Sequence, residues 1–158
     1  MPKKRTYKEF KQGFFKPVNR EKCLNKTYPE FRSSLEMKFM RVLDQNENVI
    51  KWSSEQVVIQ YFKESEQRWA RYFVDFWFEI KTEVGNKKFL VEIKPEKECK
   101  PPSTKNNSKK KPATILYEKI TWLNNSNKWD AAKKWCEKKG DMEFVIIHEG
   151  NIDTILGK

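Results

Sequence analysis

Arg71-Tyr72-Phe73-Val74-Asp75-Phe76-Trp77-Phe78, followed after a short connection by Lys88-Phe89-Leu90-Val91-Glu92-Ile93-Lys94-Pro95, decides the fold. Both halves carry the patterning of β-strands. In the second, Phe89, Val91 and Ile93 alternate with Lys88, Leu90, Glu92 and Lys94, the period of a half-buried strand. Glu92 and Lys94 therefore share a face, about 6–7 Å apart along it. In the first half, Tyr72, Val74, Phe76 and Phe78 make one apolar face, and Asp75 lies on the other between Phe73 and Trp77. A carboxylate in so aromatic a strand is costly unless something pairs with it. Gly85-Asn86 is a turn signal, so the two strands are expected to form a hairpin that sets Asp75, Glu92 and Lys94 side by side. Two carboxylates and a lysine so arranged suit a divalent metal that activates water against a phosphodiester.

Working outward, the chain of 158 residues is about one domain long and, at 37% hydrophobic and 14% aromatic, can bury a core despite 35% charge. It contains no run of about 18 apolar residues, so no transmembrane helix is expected. The basic N-terminus lacks an apolar stretch, so no secretory signal is expected either. Three cysteines, Cys23, Cys99 and Cys136, form no C-x-x-C pair. They read as free thiols in a reducing cytosol rather than a zinc site.

The net charge of +11 is uneven. Residues 1–26 carry nine Lys/Arg against two Glu, and residues 97–112 six Lys against one Glu, which leaves the rest near neutral. Two basic segments around an ordinary domain point to a polyanion, most simply nucleic acid. A membrane surface is the weaker alternative, because neither segment has an amphipathic pattern.

In chain order, residues 1–30 mix basic and aromatic side chains with Gly13, Pro17 and Pro29 as breaks. They read as an arm of little regular structure, either a loose tail or a segment whose aromatics dock on the core or stack on bases. Residues 31–158 read as one domain. A helix is expected over Phe31 to Asp44, with Leu35, Phe39, Val42 and Leu43 on one stripe. Glu36 has two readings, as the last residue of an S-x-x-E capping box or as an acid facing a site on the sheet. Val49–Trp52 and Gln56–Tyr61 read as short strands or one bent strand, with Glu55 either a solvated edge residue or a ligand. Residues 97–112 form a basic loop rich in Lys, Ser, Asn and Pro. Helical patterning resumes near Ala113, Asn124 to Asn127 is a candidate break into two helices, and Lys138-Lys139-Gly140 is a stop. Met142 to His148 closes the chain as an apolar strand. This order gives an α/β fold in which a mixed central sheet is flanked by helices.

The Asp75…Glu92-Ile93-Lys94 pattern with an upstream helical Glu36 resembles the PD-(D/E)xK nuclease superfamily. Val74 stands where that motif usually has proline. The resemblance implies a restriction-endonuclease-like core in which Asp75 and Glu92 bind Mg²⁺ (or Mn²⁺), Lys94 positions or activates the attacking water, and Glu36 is an accessory acid. A closer resemblance lies in Phe10-Lys11-Gln12-Gly13-Phe14-Phe15, Phe31-Arg32-Ser33-Ser34-Leu35-Glu36, Trp52-Ser53-Ser54-Glu55, Arg71 to Phe76 and Asn127 to Ala132. These segments are similar to the head-completion proteins of T-even-type tailed phages. That likeness implies a metal-dependent DNA endonuclease processing DNA ends during head completion, in the host cytoplasm during assembly and on the virion. Portal or head–tail connector proteins would be its partners, and no membrane is involved. It also strengthens Glu36 and Glu55 as additional ligands.

Two other functions compete. One is a DNA-binding structural component of the portal-vertex region that keeps the fold without turnover, and the other is a transposase or repair nuclease acting outside virions. On every reading Lys105, Lys109, Lys110, Lys111, Lys11 and Lys16 are the candidate phosphate contacts. Replacing Lys105, Lys109, Lys110 and Lys111 by Ala is expected to reduce the log–log salt slope of duplex binding by about 0.9 per lost contact, equally for all sequences. An unchanged slope in a salt titration would make the loop a mere spacer.

Overall fold

A computed structural model describes residues 12–154. A four-stranded sheet runs in the order β3 (Val49–Ser54), β6 (Phe76–Thr82), β7 (Gly85–Ile93) and β8 (Met142–Ile147). The first three strands pair antiparallel, and β8 joins β7 in parallel after the crossover through a long helix. A separate two-stranded sheet consists of β4 (Val58–Lys63) and β5 (Arg68–Phe73). The helices are α1 (Ser34–Gln45) and α2 (Pro112–Lys139). A short ladder of β1 (Gly13–Phe14) with β2 (Glu30–Phe31) precedes them.

β3–β4 and β5–β6 form one ribbon bent between the two sheets. Ser54 faces Phe76 on one side of the bend, and Val58 faces Phe73 on the other. Three residues, 55–57, thus oppose only Val74 and Asp75, a mismatch that bends a ribbon and re-aims the side chains beside it. Glu55 takes up the excess in a left-handed conformation (φ 55°), at a cost of about 1–2 kcal/mol for a residue with a Cβ. Its N–H donates to the Asp75 carbonyl (3.0 Å), and the Val74 N–H donates to that of Val57 (3.0 Å). The expected single strand over Arg71–Phe78 is therefore two. Nor do Tyr72, Val74, Phe76 and Phe78 share one face: Tyr72 and Val74 pack in the core with α2, Phe76 and Phe78 in the core with α1; all four are buried, so periodicity alone could not reveal the break.

The sheet separates two cores. On one face Phe39, Met40 and Leu43 of α1 pack on Trp52, Phe76, Phe78 and Val91, with Phe39 edge-on to Phe76 at 5.1 Å. On the other, Ile59, Tyr61 and Tyr72 of the β4–β5 pair, Leu90 of β7 and Ala132 and Cys136 of α2 close together. Strand β7 is consequently covered on both sides toward its end. Leu90, Val91, Glu92 and Ile93 are all buried, where alternation predicted a half-buried strand. All three cysteines are free.

Three further boundaries differ from expectation for local reasons. Helix α1 starts after Ser33, whose hydroxyl accepts the Glu36 N–H (3.1 Å), while Phe31 is held extended against Gly13. The β6–β7 turn is Glu83-Val84, with Thr82 opposite Gly85, so Gly85 (φ 112°) follows the turn instead of forming it. Helix α2 is unbroken at Asn124–Asn127, because those polar groups find partners that leave the helix intact. The Ser126 hydroxyl donates to the Trp122 carbonyl (2.8 Å). The Asn127 amide accepts the Glu64 N–H and donates to the Glu64 carboxylate (both 3.1 Å). The stop at Gly140 is as expected, at φ 78° with its N–H on the Cys136 carbonyl.

The described part of the N-terminal segment is mostly irregular and docked. The Val18 and Asn19 N–H groups donate to the buried Asp44 carboxylate (3.0 and 2.9 Å). The Leu24 N–H donates to the Trp52 carbonyl (2.9 Å). The Asn25 amide closes a two-way pair with the Ser54 backbone, both bonds 2.9 Å. Substituting Asn25→Ala orphans the buried Ser54 N–H next to the bend and leaves the Ser54 carbonyl only the Gln56 amide (3.3 Å), and the expected loss is about 1–3 kcal/mol in urea unfolding. A variant as stable as the parent would show that the Ser54 pair contributes nothing.

Candidate active site

The bend and the end of β7 open onto a cleft of about 520 Å³ lined by Arg32, Glu55, Arg71, Tyr72, Phe73, Asp75, Glu92, Lys94 and Lys128. Asp75 and Glu92 meet because Phe76 pairs with Val91, which brings the residues flanking that pair to the same edge. Asp75 Oδ2 accepts the Ile93 N–H (2.8 Å), which ties the start of β6 to the end of β7. Among the described residues its other oxygen has no hydrogen-bond partner. Glu92 is only 4% exposed. One of its oxygens accepts the Tyr72 hydroxyl, and the other lies 3.6 Å from Lys94 Nζ.

These groups perturb one another. Burial, and after it the charge of Glu92, pushes the Asp75 carboxyl well above its ordinary range, while the Ile93 N–H and Lys94 pull the other way. Burial and the adjacent Glu92 also push the Tyr72 phenol far up, so Tyr72 remains a proton donor that orients Glu92. Two buried carboxylates share one ammonium, an arrangement short of positive charge.

The other two candidate acids are tied to Arg32. Its backbone N–H donates to Glu36 Oε2 (3.0 Å), and its guanidinium holds Glu55 Oε1 (2.9 Å). Glu36 thus makes a variant of the capping box, reaching one residue before the N-cap. Both of its readings have a counterpart here, since its charge also raises the Asp75 carboxyl. Burial, and more weakly Glu55, pushes Glu36's own carboxyl up. Among the described residues no three acidic, histidine or cysteine side chains converge on one point. The donor set is therefore the Asp75–Glu92 pair. It fits Mg²⁺, which commonly takes one or two carboxylates and fills its remaining positions with water and substrate phosphate.

Of the candidate phosphate contacts, Lys16, Lys105, Lys109 and Lys111 are exposed. Lys110 is engaged, with Nζ 3.0 Å from both carboxylate oxygens of Glu118, so it anchors the loop to α2. Lys11 lies outside the described residues. Arg32, Arg71, Tyr72 and Lys128 have no role in the sequence reading. Tyr72 did carry a signal, because a phenol on a buried apolar face needs a partner for its hydroxyl. Lys128, held 5.6 Å over the Tyr72 ring by α2, carried none.

A family model for the TnsA-like endonuclease N-terminal domain matches residues 46–149. That range spans the whole central sheet together with Asp75, Glu92 and Lys94. The head completion nuclease of Enterobacteria phage T4 is 36% identical over 133 residues, covering 79% of this chain and 81% of that protein. The same mixed sheet between helices is what a restriction-endonuclease-like fold requires, and with the family model extending across all of it the chain belongs to the TnsA-like endonuclease family.

Proposed function

We propose that the protein is a Mg²⁺-dependent DNA endonuclease, with Mn²⁺ as an alternative ion, that processes DNA ends during completion of a phage head. The observation that carries this is the Asp75–Glu92 pair, two mutually repelling carboxylates on the wall of a cleft with a lysine beside them. The relative's name, head completion nuclease, supports the setting. Action in the host cytoplasm and on the maturing virion, next to portal or connector proteins, belongs to the same proposal.

The chain's own groups have separable tasks in this reading. Asp75 and Glu92 would hold the ion, with Glu92 oriented by Tyr72 and Asp75 by the Ile93 N–H. A divalent ion there supplies charge neutralisation and acidifies water next to the scissile phosphate. Lys94 adds a fixed positive charge where the phosphorane-like charge develops and where water must approach. Arg71 and Lys128, on the cleft wall, would meet flanking phosphates, which position the backbone without reading sequence. Arg32 holds Glu36 and Glu55 back from the ion and keeps their charges partly compensated.

Lys94→Ala is expected to lower Mg²⁺-supported cleavage of linear and supercoiled DNA by about 10²-fold or more, with the urea midpoint little changed. Parent-level cleavage by this variant would remove Lys94 from the chemistry.

Asp75→Asn tests the carboxylate pair without DNA. Well below the ordinary value of about 3.8, folded and unfolded chains both hold the Asp75 proton. As pH rises toward the higher folded-state value the unfolded chain ionises first, so the folded state loses stability. In metal-free buffer Asp75→Asn should therefore be more stable than the parent at neutral pH, and the gap should close as pH falls toward 4. Added Mg²⁺ should raise the melting temperature of the parent but not of the variant. Equal Mg²⁺ stabilisation of both proteins would place the ion elsewhere.

A further inference from the structure

The β4–β5 ribbon has an outward face that the core does not use. Its inward residues, Ile59, Tyr61 and Tyr72, are buried against α2. Its outward residues form three cross-strand tiers: Val58 with Phe73, Gln60 with Arg71, and Phe62 with Trp69. Trp69 is 67% exposed, Phe73 48% and Phe62 39%. That is an unusual concentration of uncovered aromatic surface on a two-stranded sheet.

The position and charge of this face narrow its occupant. The inner tiers are continuous with the cleft, since Phe73 and Arg71 line it beside Asp75 and Glu92. From there the face runs outward to Trp69, with a depression of about 240 Å³ between Trp69 and Arg71. No carboxylate lies on the outward tiers. Arg71 has no acidic partner among the described residues and sits 5.7 Å from the Phe73 ring. At the far end Lys63 and Arg68 are already engaged by Glu66, so the cation available to a polyanion is the one nearest the cleft. Trp69 meets Phe62 edge to face at 5.7 Å, a favourable aromatic pairing. Exposed rings interleaved with an uncompensated cation, leading away from a phosphodiester site, match the way proteins grip unpaired nucleotides. In an intact duplex the base faces are covered by their neighbours and could not use these rings.

We infer that the outward face of β4–β5 is a stacking platform for unpaired nucleotides next to the scissile phosphate, so that the favoured substrate is DNA with a single-stranded segment at the cut. This rests on the endonuclease reading of the cleft and deepens it by naming the substrate class.

The test measures binding in EDTA, where nothing is cut, with the parent, Trp69→Ala and Phe62→Ala. Both replaced side chains are exposed and lie outside the cleft lining. The probes are a labelled oligothymidine, a blunt duplex, a duplex with an oligothymidine tail and the same duplex with an abasic tail. For the parent, the thymidine tail should bind more tightly than the abasic one, which has the same phosphates but no bases. Trp69→Ala should weaken oligothymidine and thymidine-tailed binding about tenfold or more, and Phe62→Ala should act in the same direction. Blunt and abasic-tailed binding should stay within about twofold. Equal binding of the two tails by the parent would overturn the proposal. So would equal losses on blunt duplex in the variants, or no loss on any probe, the result expected if the face docks a protein. The nuclease reading is scored separately by Mg²⁺-supported cutting of blunt duplex, which Trp69→Ala should retain. Failure of cutting in the parent would therefore sink that reading and leave the stacking measurement interpretable.

Discussion

Three residues of one strand opposing two of its partner is a small mismatch, yet the site depends on it. An in-register ribbon would continue flat from β3–β6 into β4–β5. The extra residue at 55–57 bends it and aims Asp75 at the mouth of the cleft. The cost is local: a left-handed Glu55 and two backbone groups satisfied across the bend by Val57 and Asp75 carbonyls. With Asp75 presented there, the Ile93 N–H fixes it and the β6–β7 register delivers Glu92 and then Lys94. The cluster is thus a product of strand register, with Glu92 on β7 and Asp75 and Lys94 immediately beside the ends of β6 and β7.

Burial gives that cluster its electrostatic character. Glu92 is held within the sheet by Tyr72 from the neighbouring ribbon. Asp75 is raised by burial and by Glu92. Like charges held together at low dielectric are a standing cost to folding, the usual exchange of stability for a site ready to bind an ion or transfer a proton. The Arg32 clasp shows the opposite treatment. Glu36 and Glu55 are given a partner each on one residue.

Much of this was legible in the sequence. Period-2 alternation brought Asp75, Glu92 and Lys94 to facing strand ends, although only Glu92 lies within a strand, and the mixed sheet followed from the order of elements. The break at Val74–Asp75 was not legible, because side chains keep alternating while the backbone changes partners. Nor was the continuity of α2, whose Asn and Ser residues look like breakers until the turn at Glu64–Glu66 gives them partners. Lys110 reads as one more loop cation until Glu118, a turn and a half into α2, takes it. Arg71 and Lys128 were missed because their roles depend on what lies across the cleft, which no local pattern encodes. The outward row of the β4–β5 ribbon is a similar case: nothing local marks its aromatics as exposed, and only the register shows which of them face water.

The docked N-terminal segment has an effect on assembly as well as on stability. β3 is an edge of the central sheet, and an open edge recruits strands from other copies. Here the Leu24 N–H and the Asn25 side-chain amide occupy backbone positions of Trp52 and Ser54 that such a strand would use. An asparagine side chain imitates a strand where no strand exists, and this stretch of the edge is blocked to sheet extension. Multimers of this protein would then have to form through side-chain surfaces and not by strand addition at this end of β3.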